Sequence, residues 1–152
     1  MKKISVLFLL LCCFIFTGCS NGIKEVKTLN DFVNVCTSLG FEANDNLQNY
    51  QTDSYIVGSK VVKLDEYQLE MIIYDNEDNA SKVQEQQIDT FMKVRNTMVT
   101  TVKKKGKNYY EFKMVTNGYY MVSTRIENTL IFAQLPVDYK DKVDSIMDKL
   151  GY

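Results

Sequence analysis

Two groups of side chains in this sequence have the types and spacing to meet a ligand. Lys103, Lys104, Lys105 and Lys107 place four ammonium groups around Gly106. That pattern suits anionic headgroups or cell-wall polyanions, and it equally suits a solvated hairpin tip whose charges discourage edge pairing. The pairs Tyr109-Tyr110 and Tyr119-Tyr120 flank one predicted hairpin. Neighbours on a strand point to opposite faces, so one tyrosine of each pair enters the core and the other stands outside. Exposed tyrosine rings suit sugars, peptides or protein partners, whereas covered ones pack against cross-strand neighbours.

Covalent and acid–base chemistry find fewer candidates. The chain has no histidine, which removes the commonest general acid–base group and the commonest metal ligand together. It has no Gly-x-Ser-x-Gly, no P-loop and no dinucleotide-binding glycine motif, so neither cofactor nor metal is expected and the chain reads as non-enzymatic. Carboxylate-only chemistry such as glycoside hydrolysis stays open, although no carboxylates stand in a distinctive constellation. Asp75-Asn76-Glu77-Asp78-Asn79 is acidic but lacks the glycine and distal glutamate of a calcium loop. It fits better as the N-terminal cap of a helix. Cys36 is either a reactive thiol or a small core residue, and its place on an apolar helix face favours the core.

The elements that must position these groups follow from periodicity. Leu29, Phe32, Val33, Cys36 and Leu39 share one face of a helix over Thr28–Leu39, capped by Thr28 or Asn30 and with Gly40 as its stop. Asn44–Asp53 is polar and reads as a loop. Ser54–Leu64 and the alternating stretch from Tyr67 to Ile73 read as a hairpin turning at Asp65-Glu66. A second helix is predicted over Asp78–Asn96, with Gln84–Gln87 on a solvated or partner-binding face. Four short strands follow. The first is Met98–Val102, the lysine stretch is a turn, and Asn117-Gly118 is the strongest hairpin signal. Glu127-Asn128 turns again, Pro136 ends the last strand, and Asp138–Leu150 closes the chain as a helix. The expected class is α+β. The expected architecture is a single domain with an antiparallel sheet of about six strands in two hairpin groups and three helices on one face. The element order is α-β-β-α-β-β-β-β-α.

The N-terminal stretch is of another kind. Lys2 and Lys3 precede an apolar run, Ile4–Phe16, of 13 residues. That is too short for a membrane span of about 20 residues and right for a signal-peptide core. Phe16-Thr17-Gly18-Cys19 closes it and resembles the lipobox of bacterial lipoproteins, with Phe16 where leucine is usual. The resemblance covers about 20 residues of the chain. It implies cleavage before Cys19, lipid on the Cys19 thiol, and attachment to the extracytoplasmic face of a membrane. Residues 1–18 are then the signal, 19–24 a lipidated tether and 25–152 the globular domain. Cys12 and Cys13 leave with the signal, so Cys36 is the one mature thiol besides the lipidated one. Richness in Lys, Asn, Ile and Tyr points to an AT-rich genome and a Gram-positive cell; in a Gram-negative cell Ser20 would permit the outer membrane. Without Lys2 and Lys3 the chain carries 16 basic against 19 acidic residues, a balance that gives nucleic-acid binding no support. The expected partners are the membrane, through Cys19, and a protein or cell-envelope component. The expected role is a binding module or an accessory subunit of a membrane complex.

Overall fold

The computed structural model describes residues 22–96 and 98–152. The expected signal and Cys19 lie outside the described residues. The first helix, α1 (Leu29–Ser38), begins on a reciprocal cap. Thr28 Oγ1 accepts from Asp31 N at 3.1 Å and the Asp31 carboxylate accepts from Thr28 N at 2.8 Å. Phe32 and Cys36, one turn apart, are buried.

Seven strands follow, where about six were expected: β1 (Ala43–Asp45), β2 (Ile56–Leu64), β3 (Tyr67–Tyr74), β4 (Thr100–Lys105), β5 (Tyr109–Thr116), β6 (Tyr119–Ile126) and β7 (Thr129–Pro136). The extra strand, β1, lies at the start of the polar stretch expected to be a loop, which also holds a 3-10 turn at Leu47–Tyr50. All pairings are antiparallel, in the order β1-β2-β3-β7-β6-β5-β4. The two hairpin groups therefore form one sheet, joined where β3 pairs with β7. The expected turns sit where predicted. Asp65, Asn117, Gly118 and Glu127 all take positive φ, as tight hairpin turns demand.

Between the groups runs α2 (Glu77–Lys93), and the chain ends in α3 (Lys140–Leu150) after a 3-10 turn at Val137–Tyr139. The acidic run before α2 is a cap, as expected: Asn79 N donates to Asn76 Oδ1 at 2.9 Å, and Glu77 and Asp78 occupy the first turn.

The helices do not share one face. Helices α1 and α3 cover Val62, Leu69, Met71, Val122, Ile131 and Ala133. On the other face, α2 brings Ala80 and Val83 to the group holding Ile72 and Leu130, and Phe91 to that holding Phe112 and Met121. The reason lies in the central strands. Leu130-Ile131-Phe132-Ala133 in β7 is apolar at every position, so both of its faces need cover. Gln84, expected on a solvated helix face, is buried for a related reason. Its amide donates to the carbonyls of Tyr110 and Ser123 at 2.8 and 2.9 Å, pinning α2 to β5 and β6. Among the described residues no helix is long and apolar enough to cross a membrane.

Candidate functional site

The lysines expected in a turn are mostly on a strand. Lys103, Lys104 and Lys105 belong to β4, an edge strand exposed along its whole length, and the turn is Gly106–Asn108 with Lys107 in it. Period-two alternation sends them apart. Lys103 leans over the Phe112 ring on the α2 face, 5.6 Å from its centre. Lys104 points to the α3 face and stands 3.7 Å from Glu111. Lysines along an open edge are one way a sheet avoids adding another strand.

On the α3 face, α3 covers β6 but leaves β4 and β5 partly open. The result is a groove of about 250 Å³ floored by Val102 and Val115. Charges rim it. Glu111 and Lys113 are two apart on β5 and therefore share this face. Glu111 is 3% exposed. Lys113 Nζ lies 3.4 Å from Glu111 Oε1 and 3.4 Å from Asp144 Oδ1, bridging strand to helix. The Tyr120 hydroxyl donates to the same Asp144 oxygen at 2.6 Å, and Lys140, one turn before on α3, holds the other at 2.6 Å.

The electrostatics follow from these contacts. Burial raises the Asp144 carboxyl, but the Lys140 and Tyr120 hydrogen bonds and the Lys113 charge outweigh it, and it titrates below the usual carboxylate value. Burial, then the bond to Asp144, pushes the Tyr120 hydroxyl far up, so it is a permanent donor near neutrality. The bond to Asp144 raises Lys140. The groove therefore holds three ammonium groups against two carboxylates, each carboxylate already engaged.

The four tyrosines are not brought together. Tyr109 and Tyr110 begin β5, while Tyr119 and Tyr120 begin β6 at the opposite end of the hairpin, seven residues along β5. That is roughly 23 Å at the rise of a strand. Tyr119 is exposed and Tyr120 buried, splitting the pair as strand geometry requires. Tyr109 and Tyr110 are both half-buried, Tyr109 beneath the Lys24 ammonium at 5.0 Å. Only Tyr120 and Lys104 of the expected residues enter the groove. Glu111, Lys113, Lys140 and Asp144 complete it. The sequence carried a signal for half of that set: opposite charges two apart in an alternating strand stand on one face.

A second buried carboxyl lies across the sheet. Glu70 on β3 accepts from Asn46 Nδ2, Ser59 Oγ and, at 2.8 Å, the Tyr50 hydroxyl. These neutral donors tie the 3-10 turn at Leu47–Tyr50 onto the sheet. Cys36 sits in the core between α1 and the sheet, and burial pushes its thiol up to about 11, which makes it unreactive in the folded chain.

No protein-family model matches this sequence, and no curated protein matches it. Among solved structures, one described as a GTP binding regulator from Thermotoga maritima is similar. It is 15% identical, covers 84% of this chain and 90% of its own, and has a TM-score of 0.46. A likeness of that degree reaches neither ligand nor activity.

Proposed function

We propose that this chain is a lipid-anchored extracytoplasmic lipoprotein whose α+β domain is a non-catalytic binding module working close to the bilayer. The anchor reading rests on the short apolar run closed by Phe16-Thr17-Gly18-Cys19. The observation that carries the binding reading is the groove between β4, β5 and α3. Its two carboxylates are each held by lysines, which suits recognition better than proton transfer. Lys104 and Lys140 are the more exposed of its cations and can turn to an incoming anionic group. Val102 and Val115 offer an apolar body a place to lie.

A second reading, an accessory subunit docked on a membrane or envelope complex, has one observation in its favour. Val94, Met98, Val99, Tyr119 and Val137 are exposed around the Asn117-Gly118 turn. Capture of the full chain from its native membrane separates the two. One stoichiometric membrane protein in the eluate, lost on Met98→Asp with Tyr119→Ala, establishes the subunit and sinks the free-standing binder. No protein in the eluate sinks the subunit. Intact mass of the membrane-extracted chain tests the anchor: a diacylglyceryl addition on a chain starting at Cys19 is expected, and an unmodified Cys19 overturns it.

A further inference from the structure

The described chain begins in a clamp. Gly22 O accepts from Lys107 N at 2.7 Å. Asn108 then bonds both backbone groups of Lys24: its Oδ1 accepts from Lys24 N at 2.9 Å and its Nδ2 donates to Lys24 O at 2.8 Å. Gly106 leaves room for this approach, because a Cβ there would collide with the Gly22 carbonyl oxygen and the Tyr109 ring. Residues 22–24 are thus fixed to the β4–β5 turn at one corner of the sheet. Only Ser20 and Asn21 separate Gly22 from Cys19, a reach of about 10 Å.

That corner has the composition of a bilayer contact. Lys105 and Lys107 are exposed and make no ion pair among the described residues. Ile23 beside them is 56% exposed. Glu127 accepts from Asn108 Nδ2 at 3.1 Å and is the acid bonded to the clamp, and Glu25 is held by Lys27. Asp148 and Lys149, at the end of α3 beside Lys24, offset each other. The acids Asp75 and Asp78 lie at the same end of the sheet, where β3 runs into α2, and Glu77, nearer, is paired with Arg125 of β6. Three interstrand steps separate β3 from β5, roughly 14 Å and beyond the screening length of about 8 Å.

We infer that the corner formed by Ile23, Lys105 and Lys107 is the surface this domain lays on a bilayer with anionic headgroups. This rests on the anchor at Cys19. The lipid holds the chain to the membrane and the lysines choose which way the domain faces. The charge of each lysine favours contact with an anionic surface about fivefold, so the two together bias orientation by about 25-fold. The groove and the Asn117-Gly118 end are then turned sideways and outward, free for ligand or partner.

The test uses full-length protein lipidated by the producing cell. It is reconstituted in phosphatidylcholine vesicles with about one-third phosphatidylglycerol and a headgroup-attached nitroxide quencher. A thiol fluorophore is placed at Lys103→Cys, Asp78→Cys or Tyr119→Cys in separate preparations; Cys36 is buried and stays unlabelled. Stronger quenching at position 103 than at 78 or 119 is expected, with the difference removed by Lys105→Glu plus Lys107→Glu while the protein stays on the vesicles. Equal quenching at all three positions in lipidated protein overturns the orientation and leaves the anchor standing. A difference that survives the charge reversal, or that is as large in pure phosphatidylcholine, shows the tether acting alone and overturns the role of the lysines. Protein that lacks lipid on Cys19 overturns the anchor, and this orientation with it.

Discussion

Glu70 and Glu111 are both almost fully buried carboxyls on the same sheet, one on each flank and on opposite faces. Glu70 is held by an amide and two hydroxyls and closed over by a short 3-10 turn. Glu111 is held by two lysines and borders an open groove. Neutral donors fixed by the fold cannot turn to another partner without leaving the carboxyl unsatisfied. Lysines on flexible stems can. The first arrangement builds structure; the second stores exchangeable charge at a surface. Burial alone would have ranked the two as equals.

The largest effect expected from breaking that contrast is at Glu70. Glu70→Ala strands Asn46, Ser59 and Tyr50 and should cost about 3 kcal/mol in denaturant unfolding. Asp144→Ala comes next, at about 1–2 kcal/mol, because it releases Lys113, Lys140 and Tyr120 from one acceptor. Its sign with pH is fixed. The folded carboxyl titrates below its ordinary value. Its contribution is therefore complete above an unfolded value of about 3.9 and is lost as pH falls through the lower folded value. Unfolding curves of Asp144→Asn and the parent chain should differ at neutral pH and converge in acid; a constant gap would show that packing, not charge, holds α3 there.

Salt separates the flanks more gently. About 1 M salt should shrink the Asp144→Asn effect by a few tenths of a kcal/mol and leave that of Ser59→Ala, which removes a neutral donor to Glu70, unchanged. The smallest effect is at Thr124, opposite Glu111 on β6, whose buried hydroxyl has no partner among the described residues. Thr124→Val should be close to neutral. A clear loss of stability would show that the hydroxyl belongs to the Glu111 cluster.

These clusters show where sequence reading reaches and where it stops. Caps and turns are local chemistry, so Thr28, Asn76 and the turns at Asp65-Glu66, Asn117-Gly118 and Glu127-Asn128 were legible. Strand β1 was not, because three polar-flanked residues carry no periodicity. Lys103–Lys105 looked like a turn because an edge strand exposed on both faces loses its alternation. The groove needed topology: Lys113 and Asp144 meet across 31 positions of sequence, through the packing of α3 on β6. Glu70 was invisible for the same reason, since Asn46, Tyr50 and Ser59 converge only once β1, the 3-10 turn and β2 have folded together.

The clamp at Asn108 also decides how the molecule answers mechanical load. A pull on the chain ahead of Gly22 meets the Gly22–Lys107 bond and the two Lys24–Asn108 bonds before any bond of the sheet. Once they part, residues 23–25 pay out as far as Val26, which packs on the core, a length of about 10 Å. The clamp works as a fuse in series with the domain: it yields first, lengthens the leash, and leaves all seven strands paired.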